Sequence, residues 1–261
     1  MRTPNSLPLG APTDTSGRPP SPRRREAMAA LSLAALLVAG GSLGFVAFAG
    51  FTLDVVVGAL MAFVLIASVV VLRVDGFHPY PRFGVANRVT SIRAAVNCVI
   101  AGLLLDPMRL QADWTAGIGW VVLGLALASL LLDGVDGYLA RHKGEVSRFG
   151  ARFDVEIDAT LLLVLSALVF VLGKAGPWVL LIGGVYYGFA AARGIWPWLR
   201  CELPPGRWRK AVFVLQASSL LVAVAPNVAA ATATLVLAFA LTVLVASFAV
   251  DLRWLVRHAP R

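Results

Sequence analysis

Apolar stretches of about 20 residues recur along the whole chain, the length an α-helix needs to cross a bilayer core. In lipid every backbone polar group must be satisfied internally, so stretches of this length fold as helices. Eight spans are expected, at about 28–49, 53–73, 91–106, 117–138, 153–173, 177–199, 209–226 and 228–252. Hydrophobic residues make up 59% and charged residues 14% of the chain. Soluble domains carry about 25% charged residues, so a soluble enzyme, a disordered protein and a collagen-like fibre are excluded. The expected fold class is an all-α polytopic membrane protein of about eight transmembrane helices.

Three regions follow. Residues 1–26 form a polar tail rich in Pro, Gly and Ser that ends in Arg23, Arg24 and Arg25, and it lacks the apolar content needed to fold. Residues 27–76 hold two N-terminal spans. Residues 77–261 hold six more, led by a segment from Phe77 to Arg88 that mixes aromatic, Pro and Arg residues and suits the interface. Ala47-Phe48-Ala49 has the form of a signal-peptidase site, but the run before it exceeds the 7–15 residues of an ordinary signal core. It reads as an anchor.

The net charge of +9 suits membrane orientation and implies no nucleic-acid partner. With the N-terminus inside, all but two of the 23 Lys and Arg fall on one side, and only Arg109 and Lys174 fall on the other. Positive residues collect on the cytoplasmic side, so both termini are expected there, in a bacterial plasma membrane. The seven Trp residues fall near span ends, as interface belts do. Gly40-x-x-x-Gly44 and Gly184-x-x-x-Gly188 suit close helix packing. Cys98 and Cys201 form no metal or disulfide framework. His78, His142 and His258 stand singly in polar surroundings and read as solvated.

The chemistry lies in 133–158. Four aspartates, Asp133, Asp136, Asp154 and Asp158, sit at the inner ends of two consecutive spans, where charge is costly and usually functional. At 100° per residue Asp133 and Asp136 lie about 60° apart, with Gly137, Ala140 and Arg141 on the same side. Gly150, Asp154 and Asp158 stack at i, i+4 and i+8. The link from 142 to 149 is short, so the two helices are expected as antiparallel neighbours whose acidic faces meet. Four close carboxylates repel, which a divalent cation relieves; all-oxygen ligands favour Mg²⁺ or Mn²⁺, and the expected cofactor is two such ions. The small residues leave a slot, and Arg141 offers a fork suited to phosphate. Together these read as phosphoryl-transfer chemistry. Glu156 lies off the acidic face. Intramembrane acids also mark ion pathways, so a cation- or proton-coupled transporter is the alternative class, and a metal-bound membrane scaffold is a third.

The stretch resembles the signature of the CDP-alcohol phosphotransferase (phosphatidyltransferase) family, D-x2-D-G-x2-A-R-x8-G-x3-D-x3-D, at every fixed position. Asn87-Arg88-Val89-Thr90 resembles the family's Asn-x-x-Thr, and Ser147 its hydroxyl ahead of the second glycine. The resemblance covers about 80–255; the first two spans and the basic tail depart from it. It implies that Asp133, Asp136 and Asp154 bind metal, with Asp158 a further ligand or the catalytic base. Gly137, Ala140 and Gly150 would accommodate a cytidine nucleotide. Arg141 and Ser147 would hold its phosphates, with Asn87 and Thr90 closing the pocket. Implied partners are CDP-diacylglycerol, an alcohol acceptor, membrane lipids and a second copy of the chain as a homodimer. The implied reaction, a step of phospholipid biosynthesis, transfers phosphatidyl from CDP-diacylglycerol to an alcohol and releases CMP. Basic residues near the inner ends, Arg193 and Lys210 above all, favour a phosphate-bearing acceptor. We expect sn-glycerol 3-phosphate, then inositol phosphate, then serine.

Overall fold

The computed structural model describes residues 21–78, 80–142, 145–201 and 206–258. The described residues are helical, with no strand among them. In chain order the helices are α1 (Pro22–Ala49), α2 (Asp54–Phe77), α3 (Val85–Leu103), the short α4 (Pro107–Ala112), α5 (Gly119–His142), α6 (Arg148–Val171), α7 (Leu180–Ile195), α8 (Arg207–Val224) and α9 (Ala230–His258). A π-turn at Trp114–Ile118 leads into α5 and kinks at Gly117, whose φ is 142°.

Among the described residues, five segments are long and apolar enough to cross a membrane: Pro22–Ala49, Asp54–Gly76, Trp114–His142, Pro177–Ile195 and Ala230–His258. Helices α3, α6 and α8 match expected spans in position but not in apolarity. They carry Arg88 and Arg93, then Asp154, Glu156 and Asp158, then Arg207, Arg209 and Lys210. Eight of the nine described α-helices stand at the expected spans, and five have membrane-crossing length and apolarity; the charged and polar residues of α3, α6 and α8 lower theirs.

The expected tail lies outside the described residues over 1–20. Its last part is helix: Pro22 opens α1, and the Ser21 hydroxyl caps it by accepting from Arg24 N at 3.2 Å. Such a cap satisfies one of the orphan N–H groups of the first turn. The interfacial segment is shorter than expected, since α2 runs to Phe77 and α3 starts at Val85.

Helix α3 is the centre. It packs on α1, α2, α5 and α6, while α8 pairs with α9 and α6 with α7. It also wedges between α5 and α6, so those two meet chiefly through α3 and are not the close neighbours expected. One apolar core joins α3, α5, α6 and α8 around Ile100, Val122, Leu165 and Leu220. A second joins α1 and α2 to α3 and α6 around Val38, Phe63, Val99 and Phe153. Large side chains such as Phe48, Leu72, Leu131 and Val250 face outward. Lipid offers no hydrophobic drive for helix pairing, so close packing and hydrogen bonds hold the bundle.

The close approaches use other glycines than expected. A Cβ on Gly102 would strike Val55 O and Ala59, and one on Gly183 would strike the Leu163 backbone. Gly40, Gly44, Gly184 and Gly188 have open space where a Cβ would stand, so neither expected motif packs a helix here. Trp114 is likewise not a belt residue. It is buried, and its Nε1 donates to Val224 O at 3.1 Å. Both cysteines are free thiols.

The two ends of the bundle differ. Arg109 donates to Ala49 O at the C-terminus of α1, and Lys174 donates to Ala225 O beyond α8. The starts of α1 and α3, the end of α2 and the α5–α6 link meet at the opposite end, through Arg23–Asp75, Arg88–Glu26 and Tyr80–Val146 O.

Candidate active site

Three helices supply the site. Asn87, Thr90, Arg93 and Asn97 recur at helical spacing along α3. Ser129, Asp133 and Asp136 do so on α5, and Gly150, Asp154 and Asp158 on α6. The four aspartates are brought together, as the helical angles require. What gathers them is Arg93, a residue that sequence reasoning counted only as an inside charge.

Arg93 is completely buried. Its Nη1 lies 3.1 Å from Asp133, 3.0 Å from Asp136 and 2.5 Å from Asp154, and its Nη2 pairs with Asp158. Its Nε donates to Ser129 O at 3.0 Å. Nη1 carries two protons and faces three carboxylates: it donates to Asp136 and Asp154, and Asp133 is held by the ion pair. One guanidinium against four carboxylates leaves a net charge of −3 if all are ionised. The signal for Arg93 was its position three residues after Thr90, on the same face, inside a span.

Polar side chains brace this hub. Thr90 Oγ1 donates to Asp136 Oδ2 at 2.9 Å. Ser129 Oγ donates to Asn97 Oδ1 at 2.8 Å, and Asn97 Nδ2 donates to Ile157 O at 3.0 Å, tying α5, α3 and α6 together. Asn87 Nδ2 donates to Phe83 O at 2.5 Å.

The remaining expected residues are placed unevenly. The space over Gly150 is filled, since a Cβ would lie 3.0 Å from Asn87 Oδ1 and 3.2 Å from Ser147 Oγ. At Gly137 a Cβ would come within 3.3 Å of Arg141 Nη1. Arg141 is exposed and folds over Gly137, so the cation among the aspartates is Arg93 and not Arg141. Ala140 is half-buried on the same stretch of α5. Ser147 caps α6 by accepting from Gly150 N at 2.9 Å. Its other partner is His78, which is buried and hydrogen-bonded, contrary to the expectation of a solvated histidine. The partner of His78 lies 69 residues away, so the sequence held no local cue to that contact.

Arg193 lies in a cleft of about 500 Å³ between α6 and α7, with Arg152, Tyr186 and Phe189. Its guanidinium stands 5.9 Å from the Phe189 ring centroid. Arg152 lies two residues before Asp154 and about 160° around α6 from it, so the cleft and the acidic cluster flank α6 on either side. Lys210 is exposed on the first turn of α8 and does not line that cleft. Glu156 is off the cluster as expected, 3.8 Å from Arg152.

The donor set fits a hard divalent cation. One carboxylate oxygen each from Asp133, Asp154 and Asp158 lies within 4.8 Å of the others. Ligands on opposite sides of a bound Mg²⁺ stand about 4 Å apart, so a small closure suffices. Asp136 stands outside that trio, but its Oδ1 is buried and has no hydrogen-bond partner. A buried orphan oxygen beside uncompensated negative charge is what a cation would satisfy.

The comparison with known families bears directly on this cluster. A sequence model of CDP-alcohol phosphatidyltransferases matches residues 83–245. The chain belongs to that family. The match covers more than half of the chain and takes in α3, α5 and α6 with all four aspartates, while α1, α2 and His78 lie before it. Searches of curated proteins and of solved structures gave no match. The protein is thus a transferase-family membrane protein whose family generally uses a divalent metal and CDP-alcohol substrates.

Proposed function

We propose that the protein transfers a phosphatidyl group from CDP-diacylglycerol to an alcohol and releases CMP. The observation that carries the reading is the convergence of Asp133, Asp136, Asp154 and Asp158 on the buried Arg93 inside the family-matched segment. Asp133, Asp154 and Asp158, with Asp136 beside them, would hold Mg²⁺ or Mn²⁺, two ions at full loading. Bound there, the metal supplies charge neutralisation for the diphosphate and for the leaving CMP.

The chain's own residues do the rest. Asp158 accepts the proton of the acceptor hydroxyl. That oxygen forms the new bond to the phosphorus bearing the diacylglycerol, and the bond from that phosphorus to the CMP oxygen breaks. Arg141, exposed on α5 over Gly137, meets the phosphates. Gly137 and Ala140 on α5, Asn87 and Thr90 on α3, and Ser147 and Gly150 at the start of α6 form the wall for the CDP moiety. One phosphodiester-type linkage replaces another, so no ATP is needed.

For the acceptor we favour sn-glycerol 3-phosphate, with inositol phosphate and then serine as the other choices. Support comes from the two guanidinium groups of the Arg152–Arg193 cleft, across α6 from the acidic cluster, which suit a phosphate; Lys210, exposed on α8 and outside that cleft, enters on its charge alone. The proposal puts the site end on the cytoplasmic face of a bacterial plasma membrane, and the basic residues gathered at that end support the cytoplasmic side. A homodimer belongs to the same proposal. The test is purified protein with CDP-diacylglycerol and each acceptor in turn, the lipid product being identified by mass. Phosphatidylglycerol phosphate is expected. Product with serine or free inositol alone would overturn the acceptor assignment.

A further inference from the structure

The N-terminal helices α1 and α2 lie outside the matched family segment, yet their inner ends are built into the site. Arg23 pairs with Asp75 at 3.3 Å and donates to His78 O. Glu26 Oε2 accepts from Phe83 N at 3.3 Å and from Arg88 at 3.2 Å, so the N-terminal part of α1 holds the start of α3. His78 caps α2 and goes further. Its ring is buried between Phe149 and Tyr80, with centroids 5.5 and 5.6 Å away.

Hydrogen-bond accounting assigns the protons. His78 Nε2 lies 2.8 Å from Arg82 O. A carbonyl only accepts, so Nε2 carries the proton of the neutral ring. Nδ1 is then an acceptor, and the group 3.1 Å from it is Ser147 Oγ. Ser147 donates its proton to His78 while its oxygen accepts from Gly150 N at 2.9 Å. Both functions of the hydroxyl are used, and its rotor is fixed. Ser147 is the N-cap of α6, and α6 carries Asp154 and Asp158 within its first three turns. Asn87 and Ser147 also fill the space above Gly150, so the first turn of α6 is held against α3 on one side and His78 on the other.

We propose that His78 is a positioning residue: through Ser147 it fixes the first turn of α6, and so makes the N-terminal helix pair part of the transferase site. Catalytic geometry is sensitive to displacements of about 1 Å, and a frayed cap moves Gly150, Asp154 and Asp158 together. The effect on turnover rests on the phosphatidyl-transfer reading; the coupling of His78 to Ser147 does not.

Two substitutions separate the two ring nitrogens. His78→Asn places a side-chain oxygen near the Nδ1 position and keeps an acceptor for Ser147. His78→Gln reaches the Nε2 position and keeps the donor for Arg82 O but leaves Ser147 without its acceptor. His78→Gln is expected to lower kcat about tenfold, with the KM for CDP-diacylglycerol changed less than about threefold, and His78→Asn to recover most of that loss. In a double-mutant cycle His78→Gln should add nothing to Ser147→Ala. Equal losses in the two His78 variants, or effects that multiply in the cycle, would overturn the proposal. If the wild type itself makes no CMP, the transferase reading fails instead. The same cycle read as melting temperature then decides the coupling: non-additive shifts support it and additive shifts refute it.

Discussion

Arg93 Nη1 stands 3.0 Å from Asp136 Oδ2, and the two side chains are 0% and 3% exposed. A buried cation with four acidic neighbours is strongly committed, because removing one partner of a buried pair costs about 3–5 kcal/mol. Arg93→Gln would leave four carboxylates without their cation. We expect it to melt well below the wild type in EDTA and to regain more stability from Mn²⁺ than the wild type does. Melting of the detergent-purified protein with and without Mn²⁺ checks this, and equal metal-induced shifts in the two proteins would contradict it.

Metal removal should stop turnover. Asp133→Asn and Asp154→Asn should each lose most activity and weaken Mn²⁺ binding, since each supplies an oxygen to the trio within 4.8 Å. Asp136→Asn should lose activity too, because its unpartnered Oδ1 is buried beside them. Titration of free Mn²⁺ against each variant reads the loss. Full activity in excess EDTA would end the metal assignment.

Asp158 separates chemistry from binding. As general base, its replacement by Asn should cut kcat by about 10²-fold or more while CDP-diacylglycerol affinity stays within about tenfold. Parallel loss of binding and turnover would make it chiefly a ligand.

What the sequence revealed and what it hid divide along a physical line. Asp133, Asp136, Asp154 and Asp158 were legible because i, i+3 and i, i+4 spacing fixes side-chain direction within one helix. Their meeting on one locus is made by α3, whose Arg93 pairs with all four, and not by direct packing of α5 on α6 as the short link suggested. Arg93 was not legible, since an arginine in a short apolar run reads equally as an interface charge. His78 was hidden more deeply, because its partner Ser147 comes from another helix junction and no local pattern records that contact. Gly184 and Gly188 show the reverse: the local motif was clear, but no helix packs on it. Helices α3, α6 and α8 were found as elements, while their polar cargo kept them short of membrane-crossing apolarity.

The acceptor proposal has its own test. Arg193→Ala and Lys210→Ala should raise the KM for a phosphate-bearing acceptor several-fold without changing that for CDP-diacylglycerol. Charge beside a site acts on anionic ligands, so a neutral acceptor should be indifferent to both changes. Unchanged KM for sn-glycerol 3-phosphate in both variants would remove these residues from acceptor binding.

The most direct test of the central claim is CMP formation by the purified wild type from CDP-diacylglycerol, with and without sn-glycerol 3-phosphate, beside Asp154→Asn. The account predicts acceptor-dependent CMP, one per phospholipid formed, abolished by EDTA and nearly absent in Asp154→Asn. No CMP with any alcohol acceptor in the presence of Mg²⁺ or Mn²⁺, or equal CMP from Asp154→Asn, would contradict it.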